Sequence, residues 1–141
     1  MSGFLLDTNI ISELIKPRPE PMVVAWTEAA DEGLLHLSVV TLGEIRKGIG
    51  ALPRAVRRGQ LEAWLETDLR ARFSGRILPV DEAVVDRWGL LTGEASRNRT
   101  RLPVIDGLLA ATALSHNLTL VTRNAQDVAA TGVPTLNPWE A

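Results

Sequence analysis

The chain has 141 residues, 45% hydrophobic and 23% charged, with a formal net charge of −2 and no cysteine. That length and balance fit a single globular domain, 1–141, large enough for a real core, and argue against disorder. The missing cysteine excludes disulfides, thiolate metal sites and a cysteine nucleophile, and the slight negative charge leaves nucleic-acid attraction only to local patches.

No apolar run approaches the ~20 residues needed to span a bilayer. The N-terminus lacks a basic segment followed by a signal-like apolar core. The expectation is a cytoplasmic protein with no membrane contact, and the absence of cysteine fits a reducing compartment.

In chain order, Gly3 to Leu6 is a short apolar run suited to a buried strand. Asp7, Thr8 and Asn9 follow as a polar turn into a helix to about Ile15. Lys16-Pro17-Arg18-Pro19-Glu20-Pro21 breaks that helix. A second helix is predicted over Val23–Asp31, with Trp26 on its apolar side and Gly33 ending it. Leu34–Ser38 is the next strand. Val39–Leu52 is a helix carrying Ile45, Ile49 and Leu52 at helical spacing. Pro53 opens one long amphipathic helix through Leu61, Trp64, Leu65 and Leu69 to about Phe73.

Ser74-Gly75 breaks that segment, and Ile77–Val80 is a short strand with Asp81 at its end. Glu82–Ser96 is a helix carrying Val85, Trp88 and Leu91, followed by a basic loop, Arg97 to Arg101. Pro103 starts the helix Val104–His116. Leu118–Val121 is a strand with Thr122-Arg123-Asn124 at its exit. A short helix near Gln126–Ala130 and a strand near Pro134–Leu136 close the chain. Strands alternating with helices predict a three-layer α/β/α sandwich on a mostly parallel sheet of four or five short strands.

Ligands of such sheets bind outside the carboxyl ends of the strands. Asp7 sits at such an end, with Thr8 and Asn9 beside it. Helix capping explains Asp7 equally well. Glu44 lies near the start of its helix, at the flank of the apolar stripe, and a surface pairing with Lys47 is its bland reading. Asp106 lies in Val104-Ile105-Asp106-Gly107-Leu108-Leu109, a helix apolar almost all round and therefore expected to be central. A buried carboxylate there calls for a partner or a metal, although a first-turn acid also complements the helix dipole.

Asn124 stands to its strand as Asp7 does, again with capping as the alternative. Asp127 is one turn further on, on the solvent side. Asp81 is best explained as a cap. Carboxylates gathered at one sheet edge repel one another, and a hard divalent cation such as Mg2+ or Mn2+ would relieve this. His36 and His116 lack zinc-site spacing. Gly43, Gly48 and Gly50 do not form a phosphate loop.

Four stretches together resemble the motifs of PIN-domain ribonucleases, in order and approximate spacing. They are Leu5-Leu6-Asp7-Thr8-Asn9-Ile10-Ile11-Ser12, Gly43-Glu44-Ile45, Asp106-Gly107-Leu108-Leu109-Ala110-Ala111-Thr112-Ala113 and Val121-Thr122-Arg123-Asn124. The chain is most similar to VapC toxins of the FitB-like subgroup, which also end near an Asn-Pro-Trp such as Asn137-Pro138-Trp139. The resemblance implies a PIN-like sandwich and a Mg2+- or Mn2+-dependent endoribonuclease blocked by a cognate antitoxin. On that mapping Asp7, Glu44 and Asp106 form the acidic core and hold the metal, with Asp7 and Asp106 as direct ligands. Thr8 and Thr122 give polar support at the rim. Asn124 replaces the fourth acid that the family often carries, which implies one firmly bound ion unless Asp127 contributes. The implied reaction is in-line attack of metal-activated water on an RNA phosphodiester, leaving a 5′-phosphate and a 3′-hydroxyl, with nearby arginine helping to stabilise the transition state.

Three basic groups are candidate RNA contacts or plain solvated surface: Arg46 with Lys47; Arg54, Arg57 and Arg58; and Arg97, Arg99 and Arg101. Trp26, Trp64, Trp88 and Trp139 are expected as core or interface anchors rather than base-stacking platforms. The amphipathic helices suggest a homodimer. Two rivals stay open. A phosphatase of the aspartyl-phosphate kind would usually want an acid where Asn9 stands, and a non-catalytic binding partner or co-regulator would have no need of the three acids.

Overall fold

The structure is a computed structural model, and it describes residues 3–140; Met1, Ser2 and Ala141, the ends of the expected domain, lie outside the described residues. Within it, five parallel strands form one sheet: β1 (Phe4–Leu6), β2 (Leu35–Ser38), β3 (Ile77–Leu78), β4 (Thr119–Val121) and β5 (Thr135–Leu136). Their spatial order is β3-β2-β1-β4-β5. The chain lays strands outward on one side of β1, then returns to the other side with β4. The point of reversal is therefore the crevice between β1 and β4, where open parallel sheets place their ligands.

Side-chain alternation along β1 builds both cores at once. Leu6, with Leu35, Leu37 and Val121, packs under α1 (Thr8–Leu14), α2 (Pro21–Ala29) and α3 (Val39–Gly50). Leu5, with Leu120, packs on the opposite face against Leu109, Ala110 and Ala113. These last residues belong to α7 (Val104–Ser115), beside α6 (Glu82–Arg97). The expected three-layer sandwich follows. Each of these fully buried leucines contributes roughly 1.5–3 kcal/mol. Trp26 and Phe4 meet edge to face at 5.1 Å.

Two glycines set close approaches. A Cβ at Gly3 would stand 2.5 Å from the Leu34 carbonyl oxygen, so β1 could not sit against β2 as it does. A Cβ at Gly107 would stand 3.1 Å from the Trp88 indole. Gly107 thus lets α7, the helix that carries Asp106, lie against α6.

The structure departs from the predicted segmentation in several places. The helix expected from Pro53 to Phe73 is three pieces: α4 (Val56–Ala63), a π-helical stretch over Trp64–Leu69 and the short α5 (Arg70–Arg72). Leu61, Leu65, Leu69 and Phe73 are all buried. A four-residue repeat overshoots the 3.6-residue α turn and would rotate off the core. The wider π turns take up that drift. The second helix starts at Pro21, not Val23, because proline fits a first helical turn. A 3-10 turn, Glu32–Leu34, precedes β2. The helix expected near Gln126–Ala130 is a 3-10 segment, Ala125–Thr131, closed by Gly132 at φ 74.

Candidate active site

Asp7 leaves β1 at its carboxyl end. Its N–H still extends the ladder, donating to the Val121 carbonyl at 2.9 Å. One carboxylate oxygen, Oδ1, accepts the Thr8 N–H at 2.6 Å, so Asp7 does cap α1. The other, Oδ2, accepts the Thr122 hydroxyl at 2.7 Å across the β1–β4 crevice. The Thr122 oxygen accepts the Asn124 N–H at 3.1 Å, which locks the turn after β4. Capping and placement at the sheet edge are thus both true of Asp7.

Glu44 projects from α3 toward the same edge. Its Oε1 accepts the Thr8 hydroxyl at 2.6 Å, and the Thr41 hydroxyl lies 3.3 Å from that of Thr8. Glu44 is therefore not the exposed partner of Lys47 that its bland reading required. Asp106 stands in the first turn of α7, half-buried, and among the described residues it accepts no hydrogen bond. Asp7, Thr8, Asn9, Ser12, Glu13, Lys16, Glu44, Ile105, Asp106, Arg123, Asn124 and Trp139 line one cleft of about 460 Å3. Asp7, Glu44 and Asp106, remote along the chain, thus line the same cleft.

The electrostatics record their proximity. Burial pushes the Asp7 carboxyl above the usual carboxylate range; the bonds from Thr122 and Thr8 oppose that rise, and the charges of Glu44 and Asp127 add to it. Burial also raises Asp106, and the charges of Asp7, Asp127 and Glu44 push it the same way. These side chains nonetheless stand apart round the cleft wall: among the described residues no three His, Cys, Asp or Glu groups form a ready-made metal cage. The donor set fits a hydrated hard cation, which keeps several of its waters rather than demanding a closed protein shell. The buried Oδ1 of Asn9, on the cleft wall, has no hydrogen-bond partner among the described residues and offers one further neutral oxygen.

The other candidates divide. Asn124 lines the cleft but is exposed, and its side chain does not cap the helix that follows. Asp127 is exposed and lines a neighbouring cavity of about 330 Å3 with Arg123, Asn124, Ala125, Gln126, Asn137 and Glu140. Its charge still reaches Asp7 and Asp106. Asp81 is an ordinary cap, accepting the Val84 N–H at 3.0 Å. His36 is half-buried, with Nδ1 3.0 Å from the Leu34 carbonyl oxygen, and plays a structural part.

Sequence reasoning missed Glu13, Lys16 and Arg123 as cleft residues. Glu13 is buried; Oε1 meets Lys16 Nζ at 2.9 Å and Oε2 accepts the Glu20 N–H at 3.0 Å. The signal was available, because Asn9, Ser12, Glu13 and Lys16 recur at helical spacing opposite Ile10, Ile11 and Leu14. Trp139 packs against the core as an anchor, as expected, and also forms part of the cleft wall.

A strand-edge aspartate at the reversal of a parallel sheet, with acids arriving from two flanking helices, defines a class that comparison with known proteins identifies. The PIN domain family matches residues 4–131, and the chain belongs to that family. Toxin FitB of Neisseria gonorrhoeae is 37% identical over 135 residues, 96% of this chain and 97% of its own. VapC ribonuclease Y4jK of Sinorhizobium fredii is 36% identical over 136 residues, 96% of this chain and 97% of its own. The crystal structure of FitAcB from Neisseria gonorrhoeae superimposes with a TM-score of 0.93 at 36% identity, covering 98% of this chain and 99% of that one.

Proposed function

We propose that this protein, as a single PIN domain, is the toxin of a type II toxin–antitoxin pair and acts as a Mg2+- or Mn2+-dependent endoribonuclease. The observation that carries the reading is the meeting of Asp7, Glu44 and Asp106, remote along the chain, on one cleft at the sheet reversal. Two relatives of nearly full coverage are named a toxin and a ribonuclease, which supports it.

On this reading Asp7 and Asp106 hold the cation, with Glu44 beside them. When bound, the cation lowers the pKa of water and stabilises charge on a phosphoryl oxygen. Thr122 and the Thr8 N–H fix the Asp7 carboxylate from two sides. Thr8 fixes Glu44 through its hydroxyl, so one short turn orients two of the three acids. Asn124 offers an amide but no charge, which favours one firmly held ion. A toxin that cuts RNA in the cell making it requires a partner that occludes this cleft, and a cognate antitoxin fills that role. The site of action is the cytoplasm; among the described residues no helix is long and apolar enough to cross a membrane. A homodimer would cover apolar side chains such as Val85 and Leu90, which α6 leaves exposed.

The test is cleavage of RNA by purified toxin in Mg2+ or Mn2+ and in chelator, with mapping of the ends. Expected are metal-dependent cuts leaving 5′-phosphates, and a loss of at least about 100-fold in Asp7→Asn and Asp106→Asn, since the cation supplies several kcal/mol. Full activity in either variant, or in chelator, overturns the assignment.

A further inference from the structure

Among the described residues, Arg123 is the cation on the cleft wall without an ion-pair partner, although its charge reaches Glu13. The other basic residue on the wall, Lys16, is tied to Glu13 at 2.9 Å. Among the described residues no carboxylate comes within ion-pair distance of Arg123. Glu13 is its acidic neighbour on the wall, but both Glu13 oxygens are already bonded to Lys16 and to the Glu20 N–H.

The guanidinium carbon instead lies over the Trp139 ring, 5.0 Å from its centroid, within cation–π range. Asn137 ties the two together. Its Nδ2 donates to the Arg123 carbonyl at 3.4 Å, and its Oδ1 accepts the Trp139 N–H at 2.9 Å. A cation–π contact uses none of the guanidinium N–H donors, and among the described residues none of them is taken by another group, so the fork that matches phosphate stays available. Arg123 and Asn124 also line both the acidic cleft and the smaller cavity beside it, which Gln126, Asn137, Asp127 and Glu140 complete, so Arg123 is the cation on both walls that offsets their acids.

We infer that Arg123 grips the RNA phosphate next to the one that is cut, where the strand passes from the acidic cleft into the neighbouring cavity, and that Trp139 is the residue that positions it. The inference rests on the ribonuclease reading but is separable from it. An acid-lined cleft repels a polyanion, and a fixed cation at its border offsets that repulsion without occupying the metal position.

The test uses the full chain and a fluorescent single-stranded RNA that spans a mapped cut. Binding is read by anisotropy in chelator over a series of salt concentrations, and kinetics are read in Mg2+. Arg123→Gln should weaken binding about 10-fold and flatten the salt slope by about 0.7, the value of one neutralised single-strand phosphate. It should raise KM and leave kcat within about twofold. Arg123→Lys should keep the slope with weaker binding, because a point charge cannot reproduce the fork. Trp139→Phe keeps a weaker aromatic face and should lie between the wild type and Trp139→Leu, which should approach Arg123→Gln. A neutral methylphosphonate at the flanking linkage should penalise the wild type and not Arg123→Gln. An unchanged salt slope in Arg123→Gln, or a fall in kcat with KM unmoved, overturns the grip. Arg123 is exposed, so its variants decide the matter even where Trp139→Leu fails to fold. If no RNA is cut in Mg2+, the nuclease reading fails; a lost slope in Arg123→Gln on an uncut single-stranded RNA then still supports a phosphate contact at Arg123, and an unchanged slope removes that as well.

Discussion

Thr122 donates its hydroxyl to Asp7 Oδ2 at 2.7 Å across 115 positions of chain. The bond crosses the sheet reversal, and both groups are buried, Asp7 keeping 7% of its surface exposed and Thr122 1%. A buried carboxylate needs such donors, because the charge has lost its water. The same bond aims the remaining carboxylate lone pairs toward the cleft.

Thr122→Val should therefore cost about 1.5–3 kcal/mol of stability, the range for a hydrogen bond to a charged group. It should also lower ribonuclease activity, since Asp7 loses one of its two restraints. Thr122→Ser keeps the hydroxyl and should recover most of both. Urea unfolding and a cleavage assay on the three proteins check this; a stable, fully active Thr122→Val would show that the hydroxyl is dispensable.

Asp106 carries the opposite expectation for stability. Its folded pKa is raised, by burial first and then by Asp7, Asp127 and Glu44. A group raised in the folded state adds stability below its unfolded pKa, and that contribution is lost as pH rises through the folded value. At neutral pH the ionised Asp106 thus opposes folding. Asp106→Asn should raise Tm at pH 7 in chelator, with the gain vanishing below about pH 4, where the unfolded carboxyl also carries its proton. Added Mn2+ should raise Tm of the wild type and much less that of the variant, because binding to the folded state alone stabilises it. Thermal scans across pH with and without the ion decide.

The sheet and the edge position of Asp7 were legible because short apolar runs followed at once by polar turns mark strand exits, and Phe4–Leu6 before Asp7 is the clearest of them. Asp106 was legible because it interrupts an otherwise apolar helix. Glu44 came through the resemblance, since its own neighbourhood reads as surface. The π-helical stretch at Trp64–Leu69 was not legible: an amphipathic stripe looks alike whether the turns hold four residues or slightly more. The approach of Arg123 to the Trp139 ring was not legible either. It depends on how the turn after β4 meets the last residues, a tertiary contact with no local pattern.

Glu13 shows the reverse pH behaviour to Asp106. Its carboxyl is held below the usual range, by Lys16 first and then by the Glu20 N–H. A lowered group adds stability above its unfolded pKa and loses it as pH falls through the folded value. Glu13 thus braces the end of α1 against the Lys16–Glu20 turn at neutral pH. Glu13→Ala should lower Tm at pH 7, and the difference from wild type should close on acidification through the carboxylate range. Equal Tm values at pH 7 would mean that the turn is held by its prolines alone.

The basic groups differ in how far they are already committed. Arg46 pairs with Glu66 at 3.1 Å, and Arg58 with Glu62 at 3.5 Å. Arg57 donates to the Ile15 carbonyl at 3.3 Å. Arg97, Arg99 and Arg101 are exposed and, among the described residues, lack an acidic partner within ion-pair distance. Their loop runs directly into α7, whose first turn carries Ile105 and Asp106 on the cleft wall. Unpaired cations can take up RNA phosphates and release counterions directly, whereas paired ones must first give up a partner. Replacing Arg97, Arg99 and Arg101 together by Gln should weaken RNA binding and reduce its salt slope by about 0.7 for each phosphate that is no longer neutralised. Replacing Arg46, Arg57 and Arg58 should change the slope less. Anisotropy titrations of the two triple variants at several salt concentrations give the comparison, and a larger effect from the paired group would place the RNA path on the α3–α4 side instead.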